Sequence, residues 1–475
     1  MNSNCGGELI VTELDSVLGM AEKKLEESLQ RLFECVRIPS VSTDPAYRAD
    51  CRRAAEFLRD ELSSNGFDAS VRETPGHPIV IAHSSVDLGH AALPHFLFYG
   101  HYDVQPPDPV EKWSSPPFEP QRRTDSDGVE RLYGRGMADD KAQLLTFVEA
   151  MRVWIRTTGS LPIKATILLE GEEETGSASL APFLLAHKAE LACDAMFVCD
   201  SEMWDVATPA ITTRLRGLAQ DEITVTGPRI DLHSGLYGGP AENPIKILTQ
   251  ILAALHDVNG MVMIPNFYEG VPELPETLRT QWRSLDFSEE NFLNRVGLKT
   301  PVGEKGRGIL EQLWARPTAE INGIWGGYTG HGFKTVIPSQ AHAKITFRLV
   351  GKQRPANVLA AFREFVRGRI PENCSVSFSG GDGGSRAIEI AESNPLIQRC
   401  ATALKDEFGG DTVFMGSGGS IPVVGLFRDI LNMESVLIGF GLDDDAAHSP
   451  NEKYNLSSFR QGIRSWIRIF HAIGK

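Results

Sequence analysis

Apolar positions along the first 200 residues fall into two rhythms. Residues 53–65 (RAAEFLRDELSSN) repeat hydrophobic side chains at helical spacing and stop at Gly66. PIVIAHS at 78–84 and HFLFYGH at 95–101 are instead short apolar runs of strand length. A long helical stretch occupies 141–157 and ends near Gly159. It is followed by the strand IKATILLEG, a helix around 178–191 and the strand AMFVCD, which ends at Asp200. Runs that are apolar on both faces suit strands inside a sheet. Their alternation with helices predicts an α/β domain with a largely parallel sheet between helices.

Near residue 209 the rhythm changes. TTRLRGLAQDEITVTG and AHAKITFRLV (341–350) alternate apolar and polar positions, as strands with one covered face do. Asn243 followed by Pro244 opens a helix, a capping residue preceding proline at the first helical position, and a further helix begins near Pro355. After Asn394-Pro395 the buried-strand runs return, in TVFMG (412–416) and SVLIGFG (435–441). The chain therefore reads as a discontinuous domain, residues 1–208 and 386–475, interrupted by a smaller α+β domain at 209–385. The apolar helix at 244–256 (PIKILTQILAALH) and the one-sided strands around it predict a dimerisation surface on that insert.

Bulk properties narrow the function. A chain of 475 residues exceeds one ordinary core and calls for two large lobes or three small ones. No apolar run approaches the roughly 18 residues that a membrane-spanning helix needs. A formal charge of −15 without a basic cluster argues against nucleic acid or an anionic membrane as the partner. The first residues lack the basic and apolar regions of a secretory signal. Seven scattered cysteines (Cys5, Cys35, Cys51, Cys193, Cys199, Cys374, Cys400) contain no C-x-x-C pair, which disfavours a disulfide framework and a thiolate zinc site. The expected compartment is the cytoplasm.

Candidate chemistry lies where polar residues follow apolar strands. In HFLFYGHYDVQP, His101 and Asp103 follow directly on a strand, and two residues apart in extended chain they share a face. Asp103 is thus placed to orient an imidazole whose other nitrogen binds a metal. YGRGMADDK (133–141) puts Asp139 and Asp140 in a glycine-punctuated turn, where an ordinary helix N-terminus would also account for two aspartates. In ILLEGEEETGS, positions 170 and 172–174 are all glutamate directly after a strand. Such a run is usually solvated, but cations would give crowded carboxylates a reason, one binding metal while a neighbour acts as general base. Residue types alone do not choose among Glu172, Glu173 and Glu174. Asp200 ends a further strand, and His448 sits in the polar loop DDDAAHSPNE. Two histidines and several carboxylates beyond the carboxyl ends of separate strands occupy the edge where open α/β sheets bind ligands. Nitrogen and oxygen donors suit zinc, with manganese or cobalt as alternatives. The loops GGDGGS and GSGGS lack the lysine or spacing of a phosphate-binding loop.

GHYDVQP, WSSPPFEP, LYGRGMADDK, LEGEEETGS, DLHSGLYGG, KTVIPSQA, GGSIPVV and HSPNE occur in this order along nearly the whole chain. In this the sequence resembles the co-catalytic zinc peptidases that include cytosolic non-specific dipeptidase (carnosinase), aminoacylase and glutamate carboxypeptidase, and the dipeptidase-like branch most. The resemblance implies two zinc ions per subunit, one on His101 and Asp200, the other on Glu174 and His448, with Asp139 bridging. It makes Glu173 the general base and Asp103 the residue that orients His101, and it implies a cis bond between Asp139 and Asp140. It makes the insert a lid and dimerisation domain, whose His233 polarises the scissile carbonyl in a neighbouring subunit's site. Arg348 would grip a substrate carboxylate, with Thr335, Gly419 and Ser420 as further contacts. The implied activity is hydrolysis of dipeptides or small peptides with a free C-terminal carboxylate, in a homodimer. Removal of the acyl group of N-acyl amino acids by the same site is the alternative, and a non-catalytic metal or peptide binder is a more distant one. The chain departs from the family pattern at Gly416 and Ser417, where a charged pair is common, at Asp382, where carnosinase-like members carry histidine, and at Ala142, where glycine is usual.

Overall fold

The runs that read as buried strands pair side by side in the computed structural model, which describes residues 12–85, 93–381, 383–419 and 421–475. Two compact units emerge. One takes the chain as far as Thr213 and again over Ile390–Met415 and Leu426–Lys475, and the other comprises Arg214–Glu389 and Gly416–Gly425. The segment Gly416–Gly425 thus groups with the second unit, although its sequence had suggested the first.

In the first unit, strands Lys164–Glu170, His95–His101, Ala195–Val198 and Glu434–Leu437 lie in that order and run parallel. Ile79–Ser84 and Phe67–Arg72 extend the sheet antiparallel beyond Lys164–Glu170. The parallel strands are buried on both faces, which is why their sequences are continuous apolar runs rather than alternating ones. Phe98 shows what covers them. Its ring lies 5.2 to 5.9 Å from those of Phe147, Phe197, Trp466 and Phe470, joining the sheet to helices Ala142–Thr158 and Leu456–Ile473. Each such side chain, fully buried, contributes about 1.5–3 kcal/mol. Residues 142–154 are buried all round, including the polar row Gln143, Thr146, Glu149 and Arg152, so that stretch of the helix has no exposed face.

Three expectations are corrected in detail. The apolar run at 435–441 is a strand only over Glu434–Leu437, because its later residues lead into the loop that carries His448. The helix around 178–191 shortens to Leu180–Ala186. The insert also contains helices Glu276–Ser284, Glu289–Asn294 and Ile309–Ala315, too short to impose a clear period on the sequence.

The second unit is built on antiparallel strands in the order Thr318–Gly326, Gln340–Leu349, Gly217–Thr226, Ser375–Phe378. Alternate residues of the two central strands are buried. Ile223, Val225, Ile345 and Phe347 share one core with Leu248 and Ile251 of helix Pro244–Ala253 and with Leu359 and Phe362 of helix Pro355–Arg367. None of the described helices is long and apolar enough to cross a membrane.

Candidate metal centre

The carboxyl ends of the parallel strands deliver the polar residues. His101 is the last residue of its strand, Glu173 and Glu174 follow Glu170, and Asp200 follows Val198. Helix Ala142–Thr158 starts against His101 because Gly100 has no side chain: a Cβ there would lie 2.8 Å from Leu144 Cβ and 2.9 Å from an Asp140 oxygen. The close approach lets Asp140 Oδ2 accept the His101 backbone N–H at 3.0 Å. Asp139 leaves helical geometry, with φ −127° and ψ 94°, and its bond to Asp140 is cis, as the resemblance implies. The two aspartates point apart, Asp140 to the His101 backbone and Asp139 toward the histidines.

Asp139 stands between the two imidazoles. One carboxylate oxygen is 2.9 Å from His101 Nε2 and the other 2.8 Å from His448 Nε2. Asp200 lies 3.9 Å from His101 Nε2, and Glu174 lies 3.3 Å from His448 Nε2. His101, Asp139 and Asp200 form one group, and Asp139, Glu174 and His448 another, each with donor atoms within 4.8 Å of one another. Asp139 belongs to both. Glu174 Oε2 accepts from Gln105 at 2.7 Å, while its buried Oε1 meets no donor among the described residues.

The four glutamates of the acidic run separate by their partners. Glu170 accepts the Tyr99 hydroxyl at 2.7 Å. Glu172 is 6% exposed and accepts the backbone N–H groups of His77 and Ser179 at 2.8 and 2.9 Å, which locks it into the loop beneath. Glu173 and Glu174 are left to the centre. Asp103 holds both, its carboxylate accepting their amide N–H groups at 3.2 and 3.1 Å and the Ser42 hydroxyl at 2.6 Å. The His101 Nδ1 is 3.1 Å from the Asp103 carbonyl and 3.4 Å from its carboxylate, so the backbone shares the orienting role foreseen for the side chain.

The electrostatics describe a site built for cations. Burial, with Asp139 next, pushes Asp200 up to about 7. Burial also lifts Glu173 to about 7, with Glu174, Asp103 and Asp139 adding to the rise and His101 opposing it. Hydrogen bonds to Asp139 and Glu174 raise His448 to about 10. For Asp139 burial works against the charge, but hydrogen bonds from His101 and His448 hold the carboxyl well below the usual range. Crowded carboxylates and histidines that keep protons at neutral pH are groups whose protons a bound divalent ion displaces. A set of imidazole and carboxylate donors without thiolate fits zinc, manganese or cobalt.

Other predicted residues belong to the second unit. His233 is exposed, accepts the Gly235 N–H on Nδ1 at 3.0 Å, and pairs in a short ladder with Val336, next to Thr335. Arg348 is half-buried in strand Gln340–Leu349, where its charge is felt by Arg216. Arg216 Nε donates to the Gly418 carbonyl at 3.1 Å, and the Gly419 N–H donates to Ser417 Oγ at 3.1 Å. Ser420 and Asp382 lie outside the described residues. Gly416 has a packing reason, since a Cβ would fall 2.4 Å from that of Trp314. Sequence reasoning did not single out Ser42, Gln105, Arg135 or Glu452, although the last two stand inside YGRG and HSPNE.

The model of Peptidase family M20/M25/M40 matches residues 97–472, which contain every residue of this centre. The chain belongs to that family. Among its members, a Cys-Gly metallodipeptidase of Schizosaccharomyces pombe is 30% identical over 476 residues, covering 97% of this chain and 98% of its own. The human Beta-Ala-His dipeptidase is 28% identical over 484 residues, covering 96% and 92%. An M20 family metallo-carboxypeptidase of Sulfolobus solfataricus has a crystal structure that superimposes with a TM-score of 0.77 at 27% identity, covering 94% of this chain and 99% of its own. The family, its metallopeptidase members and the α/β architecture with a smaller sheet-bearing unit agree with the reading of the sequence.

Proposed function

We propose that this M20/M25/M40 member is a two-zinc dipeptidase, cleaving the amide bond of dipeptides or small peptides that end in a free carboxylate. The observation that carries it is the pair of donor groups joined by Asp139, with Glu173 beside them. His101 and Asp200 would hold one ion, Glu174 and His448 the other, and Asp139 both. When bound, such ions acidify a water and polarise the amide carbonyl.

The rest is the work of side chains. Glu173, lifted toward neutrality by its surroundings, takes the proton of the attacking water and returns it to the departing amine. Asp103 fixes that base through its amide N–H. In the second unit, the Arg348 guanidinium matches a substrate carboxylate in shape and charge, and the exposed Thr335, with Gly419 and Ser420, supplies further contacts. His233 donates to the carbonyl oxygen across a homodimer. An edge strand supports the dimer: Thr318–Gly326 exposes Ile321, Ile324 and Trp325, and Phe333 projects nearby in the chain. Relatives that act on Cys-Gly and β-Ala-His support a dipeptide over an N-acyl amino acid. The buried, unpaired thiols of Cys35, Cys51, Cys199 and Cys400 suit the cytoplasm.

One experiment tests the reading. Metal content is measured on purified protein, and the same sample is assayed with dipeptides, β-alanyl and γ-glutamyl peptides and N-acyl amino acids. Two ions per chain with turnover of the dipeptides are expected. Faster release from N-acyl amino acids would transfer the assignment to a deacylase, and a metal-loaded chain inactive on the whole panel would leave a binding protein.

A further inference from the structure

Glu452 is fully buried, and each of its carboxylate oxygens accepts two hydrogen bonds. Oε1 takes the backbone N–H groups of Ala138 and Asp139 at 2.7 and 3.1 Å, and Oε2 takes the Gly136 N–H at 2.9 Å and Arg135 Nη1 at 2.7 Å. The Gly134 N–H donates to the Glu452 carbonyl at 3.1 Å. Gly136, at φ 82°, supplies the left-handed residue that turns successive amides toward one anion. Arg135 is 1% exposed and packs over Trp113, its second amino group 3.3 Å from both the Pro106 and Ser449 carbonyls.

The two residues thus tie together the two segments that flank the centre. Glu452 gathers the amides of the turn that ends in Asp139. Arg135 reaches across to the loop in which His448 takes a left-handed φ of 62°. We infer that Glu452 and Arg135 are a positioning pair that sets the spacing of Asp139 and His448, and through it the affinity for the shared metal pair. The inference rests on the two-ion reading above. Burying an ion pair gains little stability over well-packed apolar groups, so stability alone gives weak grounds for this one. Three converging backbone N–H groups and a guanidinium need an anion with four acceptor positions, which a carboxylate provides and an amide does not. The hydrogen bonds behind metal ligands typically change affinity or activity about 10- to 100-fold.

The test compares wild type, Glu452→Gln and the double variant Arg135→Met/Glu452→Gln. The double variant removes both charges, so no buried guanidinium is stranded if the single variant folds poorly. Zinc affinity is measured by equilibrium dialysis at low temperature, alongside circular dichroism, melting temperature, and kcat and KM at saturating zinc. Both variants are expected to keep native circular dichroism, bind zinc about 10- to 100-fold more weakly, and lose kcat while KM stays within about twofold. A lowered melting temperature with wild-type zinc affinity and wild-type kcat would overturn the positioning role and leave a merely structural pair. Wild-type protein that takes up no zinc, manganese or cobalt would instead overturn the two-ion reading itself, an outcome separable from the first.

Discussion

The two donor groups around Asp139 are mounted differently. His101 closes a buried strand, its side chain is 1% exposed, and its backbone N–H and Nδ1 are both engaged. His448 stands on a loop, its side chain is 55% exposed, and its backbone is left-handed. One group is therefore a by-product of the sheet, since any strand ending at that edge points a residue toward it. The other depends on a loop held by particular contacts, among them the Lys453 ammonium 2.7 Å from Asp445 and the Leu442 N–H donating to Asp445 at 2.7 Å. A site assembled from one rigid and one tethered half separates the folding of a residue from its placement.

The largest expected effect falls on both halves together. Glu173→Gln keeps the shape of the side chain but removes the proton acceptor, a change typically worth about 10²- to 10⁴-fold in rate. We expect kcat to fall by that amount while zinc content stays at the wild-type value. Loss of metal along with activity would show that Glu173 belongs to the ligands of one half rather than standing beside both.

Next in size is a pH effect confined to the tethered half. Burial pushes Asp445 up to about 6, against the pull of Lys453. A carboxyl raised in the folded state contributes stability that is fully present below about pH 4 and is lost as pH rises to about 6. That displacement corresponds to roughly 3 kcal/mol. Asp445→Asn cannot ionise, so its stability relative to wild type should climb between about pH 4 and 6 and level off above. Chemical denaturation of the two proteins across that range checks the slope, and a constant difference would remove the buried charge from the account.

The contrast also explains what was legible in the sequence. Strand HFLFYGH could be read to the residue because burial on both faces leaves an uninterrupted apolar run that stops where the polar edge begins. His101 and Asp200 became candidates on that ground, whereas Asp139 stood in a glycine-punctuated turn that a helix N-terminus would also explain. Glu173 and Glu172 were indistinguishable in a string of glutamates, because what separates them is the locking of Glu172 by the N–H groups of His77 and Ser179, one of them from 95 positions away. Arg135 and Glu452 escaped notice for a similar reason. Their 317-residue separation hides a contact that only the folded chain creates, and an arginine and a glutamate apart in sequence look like two solvated charges. Gly416 stands out in the sequence only as a departure from the family pattern, whereas Trp314 gives it a steric cause.

The smallest effect gives the sharpest test of the comparison, because it asks the two histidines the same question. His101→Ala and His448→Ala should both weaken zinc binding, each removing an imidazole from a donor group that contains Asp139. Their cost to the metal-free fold should differ. Truncating His101 strands buried partners, the Asp103 carbonyl and one Asp139 oxygen, a loss of about 1–3 kcal/mol when buried polar groups lose their bonds. Truncating His448, itself 55% exposed, lets water take its place beside Asp139 and beside Glu174 Oε2, which keeps its bond from Gln105, and should stay within about 0.5 kcal/mol, as exposed substitutions do. Melting of the chelator-treated variants measures the difference directly. If His448→Ala destabilises as much as His101→Ala, the loop is integral to the fold rather than tethered to it, and the division of the centre into a rigid and a tethered half fails.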